Sequence, residues 1–210
     1  MLKILVNKVA KFLFIAKRFL RGYFFSFFII KKTGKGLKVG KNVTILNGDF
    51  LELGDNCLIE DNCFIDAKSK FGVRIGNNVG INRNCYMNCF GMRNGEGIRI
   101  GNDVTIGNNT MIYGHALVEV GNYCAIGPNV LIIPENHKYK KRRLLIRKQG
   151  VLRKRIKIGN DVWLGAGVKV LAGVTIGRGV VIGAGGVVNR SIPQYSLAVG
   201  VPAAVVSRRI

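Results

Sequence analysis

Between Ile158 and Val188 a large aliphatic residue returns at every sixth position: Ile158, Leu164, Val170, Ile176, Ile182 and Val188. An amphipathic helix repeats near 3.6 residues and a half-buried strand at 2, so a period of six describes a unit of one short strand and one corner. The second place of the unit is usually Gly (Gly159, Gly165, Gly177, Gly183) and the fifth is small or β-branched (Val162, Val168, Val174, Val180, Gly186). A large inward residue, a tight turn and a small inward residue predict a chain wound round a narrow apolar axis, a parallel β-helix.

The pattern starts weakly at Val39 and from Leu53 falls into blocks of eighteen, beginning at 53, 75, 100, 120, 158 and 176. Three hexapeptides make one triangular coil. Asn or Gly fills most third and fourth places (Asn56, Asn62, Asn78, Asn84, Asn108, Asn109, Gly167, Gly173, Gly179), and these residues tolerate the left-handed backbone of a tight corner. Extra residues at 71–74, 93–99 and 118–119 open the coil briefly. Lys138 to Lys157 opens it for twenty residues, eleven of them Lys or Arg. A long loop on a rigid scaffold is usually functional or disordered.

Residues 1–32 break the pattern. They mix Leu, Ile and Phe with Lys3, Lys8, Lys11, Lys17, Arg18 and Arg21 and contain no acidic residue. The longest uncharged run, Gly22 to Ile30, is too short for a spanning helix of about 20 residues, and no small-x-small cleavage site follows a clean apolar core. A helix lying on anionic lipid fits, and so does a helix capping the coil or packing on a neighbouring subunit. The chain thus divides into a basic hydrophobic helix (1–32), a β-helix (33–193) with the excursion 138–157, and a tail (194–210).

The net charge of +22, from 33 Lys and Arg against 11 Asp and Glu, calls for an anionic partner. Because the excess sits in residues 1–32 and the excursion, without a nucleic-acid motif, nucleic acid is disfavoured. Cys57, Cys63, Cys85 and Cys124 occupy the fifth place of their hexapeptides, as small core residues would. Free buried thiols suit a reducing compartment, here the cytoplasm or the inner face of its membrane.

Only two histidines occur, His115 and His137, so a three-His metal centre is out of reach of this sequence and no metal is expected. His137 ends a coil, follows Glu135 and Asn136 and stands at the root of the basic excursion. A histidine there suits general-base chemistry near neutral pH. Counting by coils puts His115 fifteen residues into its block and Glu135 fifteen into the next, at one corner. Tyr113, His115 and His137 should then line one edge.

The segment from about Val120 to Arg209 is similar to the hexapeptide-repeat acetyltransferases acting on sugars, the galactoside, maltose, capsule and O-antigen enzymes. The resemblance is carried by IGPNVLIIPENH, a loop with Gln149 and Gly150, IGNDVWLGAGVKVLAGVTIG, IGAGGVV and IPQYSLAVGVPAAVV. It implies a left-handed β-helix, a homotrimer with sites between subunits, acetyl-CoA as donor and His137 as base. Glu135 or a backbone carbonyl would orient the imidazole, since Asn136 stands where relatives often have Asp. Tyr113 and His115 would meet the acceptor, and so would Asn88, within RNxYxN (Arg83, Asn84, Tyr86, Asn88). Trp163, Ala166, Ala184, Asn189 and Arg190 would line the donor groove. Ala204 replaces the Lys or Arg of the C-terminal motif, with Arg208 or Arg209 as substitutes for its phosphate contact. The expected reaction is O-acetylation of a glycan or its precursor. Transfer to an amine, or a non-catalytic basic β-helix binding lipid or nucleic acid, stays open at this point.

Overall fold

The computed structural model describes residues 2–89 and 95–210, without the side chains of residues 2–8 and Lys11. The expected contributions of Lys3, Lys8 and Lys11, and the start of the opening at 93–99, lie outside the described residues. One helix, α1 (Leu2–Phe28), precedes a coil of short strands that form three parallel sheets of seven, nine and seven strands. The only antiparallel pairs among the described residues are the second sheet's last two strands and a two-stranded ribbon.

The phase of the hexapeptides decides the register. Leu53, Ile75, Ile100, Val120, Ile158 and Ile176, the first residues of the six blocks, are direct neighbours on successive strands of the first face. The six-fold aliphatic series from Ile158 to Val188 points inward throughout, and Leu164, Val170, Ile176, Ile182 and Val188 are fully buried. Burying a side chain of this size contributes about 1.5–3 kcal/mol before entropy is counted. All five cysteines line the same core as free thiols. Burial raises the thiol pKa of Cys57 and Cys124 and pushes that of Cys89 up to about 12.

The corners are held by side chains mimicking backbone. At one corner Asp55 N donates to Asn77 Oδ1 (2.8 Å), Asn77 N to Asn102 Oδ1 (2.8 Å), Asn102 N to Asn122 Oδ1 (2.7 Å) and Asn122 N to Asn160 Oδ1 (2.9 Å). At another, the side chains of Asn42, Asn62, Asn84, Asn109 and Asn129 bond in series, each with positive φ. Of the expected corner residues only Asn108 lacks the left-handed conformation. Tyr123, Tyr195, Asp103 and Asp161 adopt it as well.

Two boundaries differ from those expected. The coil resumes at Ile156, two residues before the block expected to begin at Ile158, because Ile156 is the inward residue that pairs with Val118. At the other end Ser196–Val199 still pairs in parallel with Val181 and Ile182, and only Ala204–Arg208 folds back antiparallel as a tail.

The helix closes the open end of the coil. Ile30 is buried, while Phe25 and Ile29 pack on the core, and Gly22 approaches the Leu37 carbonyl too closely for any β-carbon. Arg18, which a helix lying on lipid would turn outward, is buried. Its Nη1 bonds Glu60 Oε1 at 2.8 Å, and Nη2 lies 3.6 Å from Asp61. Arg21 Nε donates to the Val39 carbonyl (3.0 Å). The rest of α1 exposes Phe12, Leu13, Phe14, Leu20, Tyr23, Phe24, Phe27 and Phe28. No helix among the described residues is long and apolar enough to cross a membrane.

Candidate active site

The excursion is a built element. Glu135–His137 and Val151–Arg153 form an antiparallel ribbon in which His137 faces Val151 and Glu135 faces Arg153. Gln149 ties the tip: its Oε1 accepts from Lys141 N (3.0 Å), and its Nε2 donates to the carbonyls of Lys141 (3.0 Å) and Leu144 (2.7 Å). One side-chain amide thus substitutes for a pair of backbone partners. The fold leaves a cleft of about 530 Å³ lined by His137, Tyr139, Leu144, Gln149, Leu152 and several lysines. His137 is exposed at its wall.

His115 and Glu135 meet at one corner, as the twenty-residue offset predicts. His115 Nδ1 lies 2.9 Å from Glu135 Oε1. The other carboxylate oxygen accepts from Arg153 Nε at 3.1 Å. Glu135 is therefore engaged by His115 and Arg153, one coil back and across the ribbon, and the structure gives it no bond to His137. The expected orienting role of Glu135 or a backbone carbonyl has no contact of Glu135 with His137 behind it here. Sequence reasoning counted Arg153 only among eleven loop charges; its place opposite Glu135 depends on the ribbon register, which no periodicity announces.

Aromatic rings climb the third face toward this corner. Phe64 and Tyr86 stack with centroids 5.0 Å apart, Tyr86 and Tyr113 are 5.7 Å apart, and Tyr113 and His115 are 5.4 Å apart. Burial raises the Tyr113 pKa. Asn88 neighbours Tyr113 in register and donates to Tyr86 Oη (2.7 Å). Tyr86, Asn88, Tyr113 and His115 thus share one edge. Arg83 and Asn84 of the same motif do not: Arg83 pairs with Glu60 (3.1 Å) and Asn84 belongs to a corner ladder. Phe64 was missed, although its phase, six residues after Leu58, places it one coil before Tyr86.

The expected donor residues are divided. Trp163 is 56% exposed on the second face between Ala125 and Val181, so it is no core aromatic. Ala166 and Ala184 stack at the corner between second and third faces, where Gly185 N donates to the Ala166 carbonyl (2.8 Å). Asn189 and Arg190 follow the strand Val187–Val188, on the corner that carries the histidines, two coils further along. Ala204 and Arg208 lie on the exposed tail strand. Arg209 Nη1 is committed to Asp161 Oδ2 at 3.0 Å, which leaves Arg208 as the free one of the two. Within one chain the third face separates Trp163, Ala166 and Ala184 from His137. Among the described residues no three His, Cys, Asp or Glu side chains converge as metal ligands would.

Two family descriptions match the repeats: "Bacterial transferase hexapeptide (six repeats)" over residues 155–190, and "Hexapeptide repeat of succinyl-transferase" over 51–89 and 87–114. The hexapeptide repeats of this chain, over 51–114 and 155–190, are thus similar to those of bacterial transferases. Among solved structures it is similar to a hexapeptide-repeat acetyltransferase from Vibrio cholerae O1 biovar eltor complexed with acetyl coenzyme A. The identity is 32% over 59% of this chain and 65% of that one, with a TM-score of 0.52. It shares its fold with AntD, an N-acyltransferase from Bacillus cereus in complex with dTDP and coenzyme A (20% identity, 90% of this chain and 89% of that one, TM-score 0.64). A maltose O-acetyltransferase from Clostridium difficile 630 has the same fold (23% identity, 87% of this chain and 71% of that one, TM-score 0.52). No curated protein sequence matches the chain.

Proposed function

We propose that the protein transfers an acetyl group from acetyl-CoA to a hydroxyl of a sugar, with His137 as general base. One observation carries the reading: an exposed imidazole stands on a rigid ribbon at the wall of a cleft, on a scaffold whose repeats are those of the bacterial transferases. His137 takes the hydroxyl proton as the sugar oxygen attacks the thioester carbonyl carbon. The tetrahedral intermediate then expels CoA thiolate, and the proton leaves the imidazolium for thiolate or solvent. No covalent enzyme intermediate is needed, in keeping with five thiols that are all buried.

Tyr86, Asn88, Tyr113 and His115 form the acceptor edge in this reading. The donor lies against Trp163, Ala166 and Ala184 of a neighbouring copy in a homotrimer, which brings those residues to a His137 they do not reach within one chain. The exposed apolar face of α1 holds the enzyme on an anionic membrane surface, where a capsular polysaccharide or O-antigen precursor is the acceptor.

AntD is also known in complex with dTDP-4-amino-4,6-dideoxyglucose and coenzyme A, and the likeness to it favours a second acceptor, the amine of an amino sugar attached to a nucleotide. Release of CoA from acetyl-CoA, followed with neutral sugars, amino sugars and nucleotide-linked sugars, separates the two. His137→Ala should lower turnover with the accepted compound by roughly 10²–10⁴-fold, the usual contribution of a general base. Equal rates in the two proteins would remove His137 from the mechanism.

A further inference from the structure

The cleft beside His137 has an unbalanced charge. Lys138, Lys140, Lys141 and Lys148 line it and no acidic residue does. None of the four ammonium groups is ion-paired among the described residues. The first face differs in this respect. A larger groove of about 720 Å³ on the first face has Glu52, Asp55, Arg74 and Arg99 in its lining, and there Glu52 faces Lys31 and Arg74 while Glu119 faces Arg99. At the ribbon the four like charges are gathered by the Gln149 clamp, whose bonds run to backbone atoms of Lys141 and Leu144. Holding ammonium groups around one cavity raises their mutual repulsion, and a bound anion relieves it. Tyr139, Leu144 and Leu152 supply an apolar wall in the same cleft.

We infer that this cleft takes an acceptor whose reacting sugar is attached to a diphosphate, with the lysines on the phosphates and the sugar turned toward His137. A single carboxylate would leave most of the lysine charge uncompensated, whereas a diphosphate offers several acceptor oxygens and carries two or more charges. The inference rests on His137 being the base. A role for the same lysines in holding the phosphates of CoA is the competing outcome, and the CoA titrations below separate the two. A nucleotide-linked and a lipid-linked sugar share the diphosphate.

Calorimetric titration of the full chain with inorganic pyrophosphate is the direct test. We expect binding that weakens with added salt and falls by about tenfold or more when Lys138, Lys140, Lys141 and Lys148 are all changed to Gln, the scale of two or more lost charge-assisted contacts. Gln149→Ala, which keeps every charge and releases the loop, should weaken pyrophosphate as well. CoA affinity should change less than twofold in both variants. Loss of CoA binding in step with pyrophosphate, or pyrophosphate binding untouched by the four substitutions, overturns the inference. Titration with uridine diphosphate and with farnesyl diphosphate in micelles assigns the source: the tighter of the two names the carrier, and failure of both to match pyrophosphate overturns the diphosphate reading. The binding result does not depend on turnover, so an inactive His137→Ala protein that still binds pyrophosphate, or an active one that does not, tells the two proposals apart.

Discussion

Nδ1 of His115 lies 2.9 Å from Oε1 of Glu135 across one coil step, and Arg153 takes the other oxygen of the same carboxylate. The carboxylate thereby joins the body of the coil to both strands of the ribbon that carries His137. Its position two residues before His137 makes it a positioning residue for the ribbon; a catalytic group would have to touch the reacting atoms.

Replacing Glu135 with Gln keeps the shape and removes the charge that Arg153 and His115 share. Hydrogen bonds to charged groups are worth about 1.5–3 kcal/mol, so kcat/KM should fall by roughly 10- to 100-fold. The loss should appear in kcat with its pH profile unmoved, because the base proposed above is His137, which the substitution does not touch. A shift in the apparent pKa of kcat would show instead that Glu135 acts on His137 directly. His115→Ala should be milder than Glu135→Gln, since Arg153 still holds the carboxylate.

Arg18→Ala should detach α1 from the end of the coil. The substitution leaves Arg83 as the remaining cation beside Glu60 and Asp61, and removal of one partner from a buried pair costs about 3–5 kcal/mol. Both carboxylates keep some solvent contact here, so about 2 kcal/mol is the better expectation. Limited proteolysis should cut within α1 before the coil. Acidification should act in the same direction. Asp61 accepts from Lys41 N at 2.8 Å and neighbours Arg18 and Arg83, and these contacts, the backbone bond first, hold its pKa below the ordinary 3.8. A carboxyl depressed on folding contributes stability that is complete above its unfolded pKa and lost as pH falls through its folded one. Docking of α1 should therefore hold at neutral pH and weaken below about pH 4, measured as protease sensitivity of the helix.

The corner glycines make the sharpest stability test. A β-carbon on Gly121 would collide with Asn160 Oδ1 and with the backbone of residues 159 and 160, so Gly121→Ala has to displace the ladder bond from Asn122 N to Asn160. Overpacking of this kind costs about 1–3 kcal/mol, a fall in melting temperature of roughly 2–12 °C for a chain of this size. Gly80→Ala meets open space and should leave the melting temperature within about 1 °C. Little change in both would mean that the coil relaxes around its corners.

These corners also explain what could be read in advance. A six-residue step offers one large inward slot, and a shift by one residue would expose Leu164 or Ile176, so the phase and the register of Leu53, Ile75 and Ile100 followed from spacing alone. The same counting put His115 beside Glu135. Spacing is silent on a ribbon that leaves the coil, because its register depends on Gln149 bonding to backbone atoms eight and five residues away. For that reason Arg153 went unnoticed as the second partner of Glu135. Arg18 was misplaced for a related cause: its helical face looks like any other basic position until the acids of Glu60 and Asp61, forty-two residues on, arrive beneath it.

The helix itself decides the last prediction. With Arg18 and Arg21 spent on the coil, the outward side of α1 presents Phe12, Leu20, Tyr23, Phe27 and Phe28, each about 70% exposed. A contiguous apolar patch of this kind marks an interaction surface. A protein of net charge +22 is drawn to anionic lipid at about 1 kcal/mol for each basic residue near the surface, and inserted aromatic side chains add to that. Sedimentation with vesicles containing phosphatidylglycerol should carry the protein down, and vesicles of phosphatidylcholine should carry much less. Leu20→Asp combined with Phe27→Asp should abolish co-sedimentation while leaving the Arg18 contacts and the melting temperature in place. If the doubly substituted protein instead pellets like the unaltered one and elutes at a smaller size in gel filtration, the aromatic face is a contact between copies of the chain, and the membrane assignment is lost.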